Sequence, residues 1–169
     1  MISVTAHFLY TGKGSPIKYG IVQLNEEGII EQVIDPGGIL RESANTRFYN
    51  GILTPGFLNF LGAPSLKQVF PPNIDPTIFR NFASLNPITE GVVHDDQQEI
   101  LEAMKAFRGY GYDLGSMIFW ATWLSAVEAG LQDQLGSIEP GKEPGINHIE
   151  GVNLENMHLE EPSVVKVLF

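Results

Sequence analysis

The chain has 169 residues, enough to bury the core of one domain or of one domain with a helical attachment, and a barrel enzyme of roughly 250 residues does not fit. Its 20 acidic against 10 basic side chains give a net charge of −10 without any Lys/Arg cluster. A phosphate backbone would repel such a chain, which excludes nucleic acid as the expected partner.

An apolar fraction of 43% with 18% charged residues is globular, and 18 Gly with 11 Pro predict many short elements punctuated by turns. With no cysteine there is no disulfide, thiolate ligand or thiol nucleophile, which suits a reducing compartment. The first residues alternate like a strand and lack the charged-then-apolar layout of a signal peptide. No apolar run approaches the roughly 20 residues that span a bilayer, so the expectation is a cytoplasmic protein with no membrane partner.

Residues 2–10 alternate with period two and reach the turn-forming run Thr11-Gly12-Lys13-Gly14-Ser15-Pro16. Residues 19–24 and 29–34 read as two strands of a hairpin around Asn25-Glu26-Glu27-Gly28, where Gly28 can take positive φ. Asp35-Pro36-Gly37-Gly38 stops the second strand. Short strands interrupted by glycine and proline follow over 47–60, which makes the first sixty residues an antiparallel sheet region.

The stretch 61–93 has prolines at 64, 71, 72, 76 and 87 and no sustained apolar period, so it reads as a linker or irregular loop. A helix is predicted over 95–107, with Ile100, Leu101, Met104 and Phe107 on one face and an acidic start. A second helix over 114–129 is apolar around much of its surface, and Gly130 stops it. Strands and turns return over 135–150, and Ser163 to Phe169 closes the chain as a strand. Strands at both ends need paired edges and a shared core. The expected fold is therefore mainly β with two or more helices: a small composite β-sandwich assembled from both termini, the helices on one side, and no complete TIM barrel.

Two passages carry a resemblance. Gly51-Ile52-Leu53-Thr54-Pro55-Gly56-Phe57-Leu58-Asn59 is similar to the place where an N-terminal sandwich feeds the first barrel strand in the amidohydrolase superfamily, the metal-dependent hydrolases and deaminases related to chlorohydrolases. Ala121 to Leu131, then Leu135-Gly136-Ser137-Ile138-Glu139-Pro140-Gly141-Lys142-Glu143-Pro144-Gly145-Ile146-Asn147, is similar to the helix and hairpin where such a chain leaves the barrel and re-enters the sandwich. The resemblance implies an N-terminal sandwich half over 1–60, a linker or barrel remnant over 61–93, a helical segment over 94–130 and a C-terminal sandwich half over 131–169.

The resemblance also implies where a metal site would lie, and there the chain departs from the family. The family's His-x-His pair projects onto Leu61 and Ala63, and its metal-binding, proton-shuttling Asp projects onto Ala83 in Asn81-Phe82-Ala83-Ser84-Leu85-Asn86. Aliphatic side chains have no lone pairs for zinc or iron. The expectation is a truncated or degenerate amidohydrolase-like protein without independent catalysis: no catalytic, cofactor-binding or metal-ligating residue is assigned, and no cofactor is expected. The alternatives are a hydrolase or deaminase acting on C–N bonds, completed by a partner chain, and a structural or interaction module.

Four histidines occur, at 7, 94, 148 and 158, with no two spaced as ligands on one short element. His7 and His148 read as structural strand residues. His94-Asp95-Asp96 is a dense set of ligand types, better read as a helix start capped by Asp95 or Asp96. Gly12-Lys13-Gly14-Ser15 lacks the full phosphate-loop pattern and a following helix. Gly56 and Asn59 read as turn geometry. The stripe Phe119, Trp120, Trp123 reads as core, and because the family's helix packs on a barrel wall, 114–129 is expected either in a homo-oligomer contact or under the 61–93 segment.

Overall fold

The alternation at the N-terminus builds a strand at the centre of a sheet. In the computed structural model, which describes residues 1–41, 45–58 and 96–169, β1 (Ile2–Leu9) pairs antiparallel with β2 (Ile17–Lys18) and β3 (Ile21–Leu24), and β3 pairs with β4 (Ile30–Ile34). The hairpin predicted over 19–34 forms, with Gly28 at φ +87°. Its first strand starts at Ile21, not Tyr19, because Tyr19 takes φ +57° and donates its N–H to the His7 carbonyl at 3.0 Å.

The region 47–60 departs from expectation in two ways. It is one ten-residue strand, β5 (Thr46–Pro55), rather than short pieces, and it lies parallel to β1. The strands described up to Pro55 therefore form a mixed sheet, not an antiparallel one, and a parallel neighbour needs a crossover because a tight turn cannot reach it. The interrupting glycine is absorbed as a bulge. Ala6 pairs with Tyr49 but Phe8 with Ile52, so β5 advances one residue more than β1 across Asn50-Gly51.

The strands of the two chain ends join through β5. Its far edge pairs antiparallel with β6 (Ile146–Asn153) in the register Ile52↔Ile149, Leu53↔His148, Thr54↔Asn147 and Pro55↔Ile146, and β6 pairs with β7 (His158–Val167). The last strand thus starts at His158 rather than Ser163. The strand order is β4-β3-β1-β5-β6-β7 with β2 on β1: a seven-stranded sheet that is not closed. The fold is mainly β and composite, as expected, and no TIM barrel is present among the described residues.

Neighbouring residues of β5 enter different cores, as period two demands. Ile52 joins Phe57, Ile149 and Leu159 on the helical side, whereas Leu53 joins Val4, Leu9, Val22, Leu24, Ile30, Ile138 and Ile146 on the other. The helices lie on one side. Helix α1 (Gln97–Arg108) starts at Asp96, whose carboxylate accepts the Glu99 N–H at 3.1 Å, and contributes Ile100, Leu101, Met104 and Phe107.

The predicted 114–129 helix is helical throughout but not regular. Helix α2 (Leu114–Phe119), capped by Asp113, passes into a π-helical segment (Trp120–Leu124) and then α3 (Ser125–Ala129), which ends at Gly130 with φ +73°. Two buried hydroxyls bond backward at this change of pitch: Thr122 Oγ1 donates to Ile118 O at 2.7 Å and Ser125 Oγ to Trp120 O at 2.6 Å. Met117, Ile118 and Trp120 are buried in the core that α1, β5 and β6 line, with the Tyr112 ring edge-on to Trp120 at 5.0 Å. Within the described residues, Met117, Ile118 and Trp120 thus have α1 and the sheet as neighbours. The 61–93 segment, the cover expected from sequence, lies outside the described residues.

Two substitutions test this architecture. Gly51 sits at φ +128°, and a Cβ there would collide with the Ile149 carbonyl oxygen; Gly51→Ala should cost at least about 1–3 kcal/mol by urea denaturation. Trp120, 7% exposed, should cost about 3–5 kcal/mol as Trp120→Ala in the same measurement.

Candidate functional site

Among the described residues, a cluster of interacting charges forms where the 11–16 turn meets the loop after α3. Two glycines make the meeting sterically feasible. Gly12, at φ +88°, faces the Gly136 carbonyl, and Gly136, at φ +81°, faces Ala126 and the Thr122 carbonyl. The Ile138 N–H donates to Thr11 O at 2.9 Å and fixes the approach.

Glu139 occupies the centre. Lys13 Nζ lies 2.6 Å from its Oε1 and Lys142 Nζ 2.8 Å from its Oε2, to which Ser137 Oγ also donates at 2.7 Å. Both ammonium groups lie over the Trp123 ring, at 4.1 and 4.8 Å from its centroid. Partial burial pushes the Glu139 carboxyl up, but hydrogen bonds from Lys13, Lys142 and Ser137 outweigh it and hold the carboxyl down at about 2.

Lys142 is the most fully bonded member of this cluster. Lys142 also donates to Ser137 Oγ at 2.7 Å and to Gln132 O at 2.6 Å, which with Glu139 occupies its three N–H donors. Both carboxylate oxygens of Glu139 are taken. The arrangement joins the 11–16 turn, the π segment and the returning chain. Gly12-Lys13-Gly14-Ser15 accordingly serves as one side of this joint.

A second polar joint sits in the core and was not anticipated from sequence. Gln97 Nε2 donates to Phe57 O at 2.9 Å, its Oε1 accepts Phe57 N–H at 2.7 Å, and Asn147 Nδ2 donates to the same Oε1 at 2.5 Å. The first turn of α1 is thereby tied to the chain leaving β5 and to β6. A signal existed: Gln97 precedes Ile100, Leu101 and Met104 at helical spacing, a polar residue on the apolar stripe. Asn147 Oδ1 is buried and has no hydrogen-bond partner among the described residues.

The histidines are dispersed. His7 Nδ1 accepts the Gly51 N–H at 3.3 Å and His148 Nε2 donates to Asn50 O at 2.8 Å, so each braces the β5 bulge from a different neighbouring strand. His158 is exposed at the start of β7. Gly56 is buried and its N–H lies 3.2 Å from both Pro144 O and Gly145 O, which ties the end of β5 to the turn before β6. His94, Asp95, Asn59, Leu61, Ala63 and Ala83 lie outside the described residues. Among those described, no group of three or more His, Asp or Glu could hold a metal ion, and no helix is long and apolar enough to cross a membrane. An open depression of about 690 Å³ is flanked by the carboxylates Glu26, Glu27 and Glu143.

No protein-family model matches the chain, and no curated protein matches it. Among solved structures it is similar to the crystal structure of A. niger ochratoxinase, with 24% identity and a TM-score of 0.26 over 37% of this chain. The match spans 16% of that enzyme's chain.

The Glu139 joint predicts a defined acid response. A carboxyl held at about 2 against an ordinary 4.5 contributes stability that is complete above about pH 4.5 and is lost as pH falls toward 2. Urea midpoints of wild type and Glu139→Gln should differ by a constant amount at neutral pH, converge between pH 4.5 and 2, and coincide below.

Proposed function

We propose that this chain forms the accessory-domain portion of an amidohydrolase-like protein and supplies scaffold rather than chemistry. The observation that carries this reading is the contact between the two passages that resemble the family. Thr54 and Pro55 of the first pair with Asn147 and Ile146 of the second, and the Gly56 N–H bonds to the Pro144 and Gly145 carbonyls. Passages far apart in sequence thus meet as an N-terminal strand feeding inward and a C-terminal strand returning.

The sequence supports the non-catalytic half of the reading. Leu61, Ala63 and Ala83 stand where the resemblance places metal ligands, and none offers a lone pair. The charged side chains of the Glu139 joint bond to one another and to Ser137 and Gln132. Self-association through 114–129 would now have to use Phe119, Trp123 and Leu124, which are half-buried, and Val127, which is exposed.

Metal analysis of protein purified without added metal separates this from the catalytic readings. Substoichiometric zinc, iron and manganese are expected, and a tightly bound stoichiometric ion would overturn the proposal. Co-purification of a chain contributing histidine and aspartate ligands would instead favour a hydrolase completed by its partner.

A further inference from the structure

Asparagine stands directly before glycine at one place in the chain, Asn50-Gly51. The fold calls for glycine there, since a Cβ on residue 51 would meet the Ile149 carbonyl oxygen. This dipeptide is also the stretch of β5 with no partner residue in either ladder: the register with β1 passes from Tyr49 to Ile52, and pairing with β6 begins at Ile52. Two imidazoles hold its main chain instead. His148 Nε2 donates to Asn50 O at 2.8 Å, and the Gly51 N–H donates to His7 Nδ1 at 3.3 Å.

An amide nitrogen with no Cβ beside it can close a five-membered ring on the side-chain amide of the preceding residue, provided that its proton has somewhere to go. Asn50 is exposed and its side chain makes no hydrogen bond among the described residues, so it is free to turn toward the Gly51 nitrogen. His7 supplies the destination of the proton. Because the Gly51 N–H is the donor, His7 Nδ1 is the nitrogen that carries the lone pair. The imidazole is flanked by the Phe48 ring edge-on at 5.1 Å and the Tyr19 ring at 6.2 Å.

We infer that Asn50 is a self-modification site of the folded chain, with His7 as the base. The Gly51 nitrogen gives its proton to His7 Nδ1 and bonds to Asn50 Cγ. The Cγ–Nδ2 bond then breaks, and Nδ2 leaves as ammonia with the proton that His7 held. The succinimide so formed takes up a water molecule. Opening at Cγ yields aspartate with the chain unchanged, whereas opening at the main-chain carbonyl carbon of residue 50 yields isoaspartate, whose chain runs through Cγ and is longer by one methylene. The isoaspartate lengthens β5 between Tyr49, paired to β1, and Ile52, paired to β1 and β6. It also turns the carbonyl held by His148 into a carboxylate. The strand that joins the two chain ends is thus altered as the chain ages.

Peptide mass spectrometry over time at neutral pH, with the aspartate and isoaspartate peptides separated, tests this in native protein and in the same protein unfolded in guanidinium chloride. Native wild type should exchange the Asn50 amide for a carboxyl and accumulate both isomers. His7→Gln retains an oxygen to accept the Gly51 N–H but has no basic lone pair. It should slow the native conversion by at least about tenfold and leave the rate in guanidinium unchanged, with circular dichroism confirming its fold. Asn50 that stays intact in native wild type, over the time in which the unfolded chain converts, would overturn the inference without any variant having to fold. A folded His7→Gln that converts at the wild-type rate would overturn the role of His7.

Discussion

Everything in this molecule hangs on the second half of β5, which is buried on both faces and paired on one side with β1 and on the other with β6. Parallel pairing to β1 on one edge and antiparallel pairing to β6 on the other place main-chain hydrogen bonds between the beginning and the end of the chain. These bonds are made in a setting from which water is excluded, and an unpaired peptide group there would cost about 1–3 kcal/mol. The composite character of the domain follows: neither end has a complete set of partners without the other. A bulge at Asn50-Gly51 bends this strand, and His7 and His148 hold its displaced amide and carbonyl from the two sides. Their roles are those of backbone braces.

Around that strand the elements are fastened by two polar joints of different kinds. The Gln97 joint is buried and neutral: one amide imitates a strand neighbour for Phe57 and so anchors α1 at the end of β5. The Glu139 joint is partly exposed and charged, with glycine at 12 and 136 allowing the backbones to close up. Exposed ion pairs are individually weak, but here a single carboxylate bonds to three donors from three residues, and an aromatic face receives both lysines. Local networks of this sort gain from mutual orientation of their members.

The elements legible in the sequence were those written in local chemistry. Period two placed β1, the Gly28 turn placed the first hairpin, the aspartates at 95 and 96 with the apolar stripe placed α1, and Gly130 closed the second helical region. What the sequence left unspoken depends on partners remote along the chain. Nothing within 47–60 says that β5 runs parallel to β1, because parallel and antiparallel neighbours accept the same β-rich composition. Glycine at 51 reads locally as an interruption, and only the paired strands show it as a bulge within a continuous strand. The same holds for Trp120 and its neighbours: apolar periodicity requires cover but does not name α1 and the sheet as what provides it. Lys13 belonged to a motif that fails as a phosphate loop, and its true partner, Glu139, lies too far along the chain for spacing to reveal it.

Hydrogen-bond saturation distinguishes joints from reactive centres. A catalytic acid or base must exchange one partner for another as the reaction proceeds, whereas Lys142 spends all three of its donors within the joint. Asn147 is the exception within the Gln97 joint. Its Nδ2 must face Gln97 Oε1, because exchanging the ends of the amide would set two oxygens against each other. That orientation leaves Oδ1 without a partner among the described residues at a position with no solvent exposure, where an unsatisfied acceptor costs about 1–3 kcal/mol. Turning Gln97 to relieve it would forfeit both bonds to Phe57. The arrangement therefore tolerates one unsatisfied acceptor to keep α1 and the exit of β5 in register, which makes position 147 a constraint on geometry rather than a source of chemistry.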